Sequence, residues 1–164
     1  MSALLETGLF VMDFARRATM GFLQDIEGDA FHRLFCEGGS NAGYIVGQLA
    51  YTDDMTLHML AGKPSIFSED QQKMFAGGAD PAADCSRYPG RDELIAMMVE
   101  RRETLTAYFK GQSDEDLTTA VEGPLAQFGD TRAKLMTSIA WHEGMHAGQL
   151  TVIRRQLDLP RVFG

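Results

Sequence analysis

The sequence predicts an all-α protein, a four-helix bundle with long crossover connections. Three observations lead there. Four segments carry apolar residues at spacings of three and four. No stretch alternates apolar and polar residues as a half-buried strand would. Gly, Pro and Ser collect between the four segments and stop them. The 164 residues fit one domain, 1–164, and a hydrophobic fraction of 45% is enough to build a core.

The first helix is expected from about Leu9 to Gln24. Phe10, Phe14, Ala18 and Phe22 recur every fourth residue and make an apolar stripe. Glu27-Gly28-Asp29 interrupts it, and a short apolar piece, Phe31 to Cys36, follows. The second helix opens after Ser40 or Asn41, both good N-cap types, and runs through Gly47-Gln48-Leu49 to about Leu60. Gly62-Lys63-Pro64 stops it. Residues 64–90 have the weakest pattern. Ser68-Glu69-Asp70-Gln71 opens a short helix that Gly77-Gly78 ends, and the rest is a crossover or a lid. The third long helix runs from about Asp92 to Lys110, with Leu94, Met98, Arg101, Leu105 and Phe109 in one row. Ser113 to Asp116 forms an acidic turn, and residues 117–130 read as irregular. The last helix starts near Thr131 and ends before Pro160. Its inner row is Leu135, Ile139, His142, His146, Gln149, Ile153 and Leu157, apolar at both ends and polar in the middle.

Charge and composition exclude several functions. A formal net charge of −8 argues against nucleic acid, which needs a basic face. Arg101-Arg102 and Arg154-Arg155 read as solvated faces, the second pair also suiting the dipole of a last helical turn. No apolar run approaches a membrane span, and the N-terminus lacks the pattern of a signal peptide. Cys36 and Cys85 are too few for a disulfide framework and read as incidental thiols of a cytoplasmic protein. The ten methionines are expected to fill gaps in the core, and Trp141 to pack between helices.

His142 and His146 are the candidate chemistry. Four residues apart, they share one helical face, with Cβ atoms about 5 to 6 Å apart. Two imidazoles so placed can bind one divalent ion at about 2.0 to 2.1 Å each. The plain alternative is a pair of partly buried histidines, each bonded to a backbone carbonyl or a carboxylate. His142-Glu143-Gly144-Met145-His146 also satisfies the zincin pattern H-E-x-x-H, with Glu143 as general base. A third zincin ligand is missing: no later histidine follows, and Asp158 lies about 18 Å along the same helix. Glu143 should point sideways, as a solvent or interhelical charge.

The run Ala140-Trp141-His142-Glu143-Gly144-Met145-His146-Ala147-Gly148-Gln149-Leu150-Thr151 resembles the last helix of the DinB-like, YfiT-like superfamily. Asn41 to Ala50, with Leu60-Ala61-Gly62-Lys63, resembles that family's second helix. The resemblance implies a four-helix bundle, often a homodimer, holding a divalent metal (Zn²⁺ or Ni²⁺) on three histidines. Two come from the last helix and one from the second. Related members act as transferases or isomerases that use a low-molecular-weight thiol. Here the second-helix position is Gln48, whose amide oxygen is a weak ligand beside imidazole. His58, about 15 Å further along that helix, does not substitute for it. Asp53 and Asp54 are more than a turn from Gln48, and His32 sits in a connection.

Three states of the site follow: a metal held weakly by His142, His146, Gln48 and water; no metal, with Gln48 bonded to one imidazole; or a polar ligand in the cavity. They lead to two functions. One is a metal-dependent hydrolase or thiol transferase. The other is a non-catalytic bundle that binds a small molecule or dimerises.

Overall fold

The computed structural model describes residues 2–81 and 85–163, the side chain of Cys85 excepted. Those residues form α1 (Ala3–Leu23), α2 (Ala42–Ala61), α3 (Glu69–Phe75), α4 (Arg91–Lys110), α5 (Asp114–Thr118) and α6 (Arg132–Gln156), with short 3₁₀ turns between some of them. Among the described residues the only extended pairing is an isolated bridge between Ala120 and Thr131. None of the helices is long and apolar enough to cross a membrane.

Local chemistry sets the ends. Ser2, Asn41, Ser68, Ser113 and Thr131 each accept a backbone N–H at a helix N-terminus, satisfying a donor that the helix itself cannot. Gly62 closes α2 in the left-handed conformation, at φ 64°. Residues 117–130, expected to be irregular, hold the end of α5 and a 3₁₀ turn over Gly123–Gln127. The acidic turn before them is the capping box of α5, in which Ser113 and Asp116 bond each other's backbone.

The four long helices pack as two parallel pairs. Arg16 of α1 meets Glu143 of α6, and further along Phe22 and Gln24 meet Arg154, so α1 and α6 run together. Asp54 meets Arg101 and Leu60 meets Tyr108, so α2 and α4 run together. The pairs oppose each other, since Arg16 bonds Met98 O while Arg102 bonds Met12 O. This up-down-down-up order forces the chain from α2 to α4 to travel back along the bundle. The described residues between 62 and 90 therefore belong to a crossover, and α3 is its docked part: Phe75 lies so close over Gly47 that a Cβ there would overlap the ring.

The core is split in two. One apolar cluster contains Leu5, Met12, Leu57, Leu105, Phe109 and Met136; the other contains Leu23, Ile45, Leu49, Leu94, Met98 and Leu150. Three expectations change here. The helix begins at Ala3, and its buried row is Leu5, Gly8, Met12, Ala15, Arg16, Thr19 and Leu23, whereas Phe10 and Phe14 are 59% and 57% exposed. Phe10 and Phe14 thus face outward, while Phe22 is partly buried against the core. The inward row mixes large apolar residues with small ones, and α6 approaches closely at Gly8, where the Met136 sulfur would lie 2.6 Å from a Cβ. Arg101, Arg102 and Arg154 are buried, not solvated. Arg154 spends its guanidinium on the carbonyls of Phe22, Gln24 and Pro160. Trp141 does not pack between helices; it is 68% exposed.

Candidate metal site

Between the two apolar clusters lies a layer of buried charge. Glu143 is fully buried, with Oε1 2.6 Å from Arg16 Nε and Oε2 2.7 Å from Arg102 Nη1. Asp53 of α2 sits opposite, 3.2 Å from Arg16 Nη2 and 2.8 Å from Arg102 Nε. Two guanidiniums face two carboxylates, so the layer is electrically balanced. Burial works against the charge of Arg102, but Asp53 and Glu143 outweigh it and hold its pKa above the ordinary arginine value. Glu143 therefore does not point to solvent, and both its oxygens are engaged with arginines. That leaves no free general base in the H-E-x-x-H segment.

The same turn of α6 carries the histidines. His146 is buried and His142 half-buried. Their Nε2 atoms approach to 3.1 Å, with ring planes at 89°. His146 Nδ1 lies 2.7 Å from Gln149 Oε1. Burial and the neighbouring His146 push the pKa of His142 down to about 4, and Arg102 adds to this against the pull of Asp53. Burial also lowers His146, against its hydrogen bond to Gln149 Oε1 and the charge of Glu143. Both rings are thus neutral at pH 7, the form in which imidazole binds metal.

The helix order matches the bundle that the resemblance implies. A family model of the DinB superfamily matches residues 12–150, from within α1 to late in α6. The chain belongs to the DinB superfamily. A conserved protein of Enterococcus faecalis has the same fold, with a TM-score of 0.73 at 14% identity over 96% of this chain and 98% of the other. None of the curated proteins matches.

The fit of a metal to this DinB-superfamily chain can be judged atom by atom. Two nitrogens that each lie about 2.0 to 2.1 Å from one ion sit about 3 Å apart, as His142 and His146 do. The third position is weaker. Gln48 is buried, but its amide nitrogen donates to the Tyr44 hydroxyl at 3.2 Å and not to an imidazole. Asp53, whose charge pulls the His142 pKa upward, is committed to the arginines. Among the described residues no group of three or more His, Cys, Asp or Glu is placed to hold an ion. The structure brings the two imidazoles together and bonds the Gln48 amide to Tyr44.

The remaining candidates lie elsewhere. His58 is exposed, with Nδ1 2.8 Å from Lys63 O. His32 packs between the rings of Phe31 and Tyr88, against Gly43. Asp54 is held by Ser65 at 2.5 Å and by Arg101. Cys36 is an exposed free thiol, and the Cys85 side chain lies outside the described residues. Gln149, expected in the inner row, is exposed, and Glu143 takes the buried place.

The charged layer was not anticipated from the sequence, yet it left a signal there. Each member interrupts an apolar helical row: Val46-Leu49-Asp53-Leu57 on α2, Ile139-Glu143-Leu150 on α6, Met12-Arg16-Leu23 on α1 and Met98-Arg102-Leu105 on α4. One charge per row, two of each sign, is what an interhelical ion cluster requires.

Proposed function

We propose that this DinB-superfamily chain holds one divalent transition-metal ion, Zn²⁺ or Ni²⁺, on His142 and His146. The amide oxygen of Gln48 serves as a weak third donor. The function that fits such a centre is that of a metal-dependent hydrolase or thiol transferase acting with a small molecule or a low-molecular-weight thiol. The observation that carries this reading is the 3.1 Å convergence of two neutral imidazole nitrogens. When bound, such an ion supplies Lewis acidity to whatever fills its remaining coordination positions. The arginine–carboxylate layer beneath fixes the rotation of α6, so both rings stay aimed at one point.

A second reading is a non-catalytic bundle that binds a small molecule or dimerises. The bond from Gln48 to Tyr44 supports it, because it turns the amide nitrogen toward its own helix. Phe10 and Phe14 on α1, and Trp141, Met145 and Val152 on α6, are exposed apolar side chains that a homodimer would cover.

The experiment that separates the two is metal analysis of protein purified without a metal-affinity tag. The first reading expects a zinc or nickel content that the double change His142→Ala, His146→Ala abolishes. No metal in the parent, and no shift of its unfolding temperature on adding Zn²⁺ or Ni²⁺, contradicts it.

A further inference from the structure

We infer that His142, His146 and Gln149 form a one-directional hydrogen-bond relay in the metal-free protein, in which Gln149 is the positioning residue that leaves His146 Nε2 unprotonated, its lone pair accepting from His142. Its role toward the metal rests on the function proposed above; the relay itself does not.

The direction follows from what each atom can do. Gln149 Oε1 only accepts, so at 2.7 Å its partner His146 Nδ1 carries the proton. A neutral imidazole has one N–H, which leaves His146 Nε2 with a free lone pair. That atom lies 3.1 Å from His142 Nε2, so His142 must donate from Nε2. The proton order is His142 Nε2–H to His146 Nε2, then His146 Nδ1–H to Gln149. The two histidines, though identical in chemistry and one turn apart, hold opposite tautomers.

This gives them unequal parts in metal binding. His146 is buried and already presents its lone pair, so it is the preset ligand. His142 must move its one proton from Nε2 to Nδ1 before it can ligate. The exchange changes no net charge, and the half-exposed ring allows it to proceed through water. Gln149 lies outside the reach of the converging nitrogens and acts only through His146.

The test is long-range ¹H–¹⁵N NMR of the imidazoles in chelator-treated protein near pH 7.5, with Gln149→Leu and Gln149→Glu beside the parent. The parent should show His146 protonated at Nδ1 and His142 at Nε2. Gln149→Leu should average the His146 tautomers while its circular dichroism and unfolding temperature stay near the parent's. Gln149→Glu, which keeps an acceptor, should preserve Nδ1–H. Zinc titration should give an affinity about 10- to 100-fold lower for Gln149→Leu and not for Gln149→Glu. A parent His146 protonated at Nε2, as the reversed amide would require, overturns the relay. So does a Leu variant with unchanged tautomers. A relay present in a parent that binds no zinc overturns the positioning role and the metal reading, and leaves the tautomer assignment standing.

Discussion

At the scale of single residues, Glu143 is fully buried in the middle of α6. The pattern H-E-x-x-H offers it as a general base. The structure buries it against Arg16 and Arg102. Its worth is therefore to stability. Glu143→Gln leaves two buried guanidiniums facing one carboxylate and should cost about 3 to 5 kcal/mol. Urea unfolding checks this. A cost below about 1 kcal/mol would mean the cluster is not what holds the middle of the bundle. The histidine pair was legible because both its members sit on one spaced row of α6. Glu143 was not, because a single sequence assigns a charge next to that row to its flank. Only the helices facing it supply the partners that pull it inward.

At the scale of elements, the long helices were legible and the phase of α1 was not. Caps and stops are local chemistry: Asn41 opens α2 and Gly62 closes it, as read from the residues alone. The apolar members Leu94, Met98, Leu105 and Phe109 of the α4 row are buried as their spacing implies, and Arg101 is buried with them, against the solvated place expected for it. The inward face of α1 is different. Its phase is set by a close approach to α6, for which Gly8 leaves room, while Phe10 and Phe14 stay exposed. The crossover depends on a similar close approach, Phe75 of α3 over Gly47 of α2. Gly47→Ala should destabilise the protein by about 1 to 3 kcal/mol through overpacking. Adding Phe75→Leu should recover part of that loss. Thermal unfolding of the two variants decides it, and strictly additive losses would contradict the contact.

At the scale of the whole molecule, two apolar clusters with a balanced ionic layer between them make stability sensitive to pH in a stated direction. His142, His146 and His32 all have folded pKa values below the usual histidine value, with burial the largest cause in each. Above the unfolded value of about 6.5 these groups contribute no slope. As the pH falls below it toward 4, the unfolded chain takes up protons that the native state refuses, so stability falls. Denaturant unfolding in chelator from pH 7.5 to 4.5 should show this loss, and His142→Ala, His146→Ala should flatten it. An equal slope in the variant would place the titration elsewhere. At this scale the helix order could be anticipated, but the pairing of α1 with α6 and of α2 with α4 could not. It rests on contacts far apart in the chain.

The proposed centre has two imidazoles of α6 meeting at one ion. The most direct measurement is anomalous diffraction at the zinc edge from crystals soaked in Zn²⁺. A peak is expected within about 2.0 to 2.1 Å of both His142 Nε2 and His146 Nε2. A map with zinc only at other side chains, or with the two rings turned apart, contradicts it.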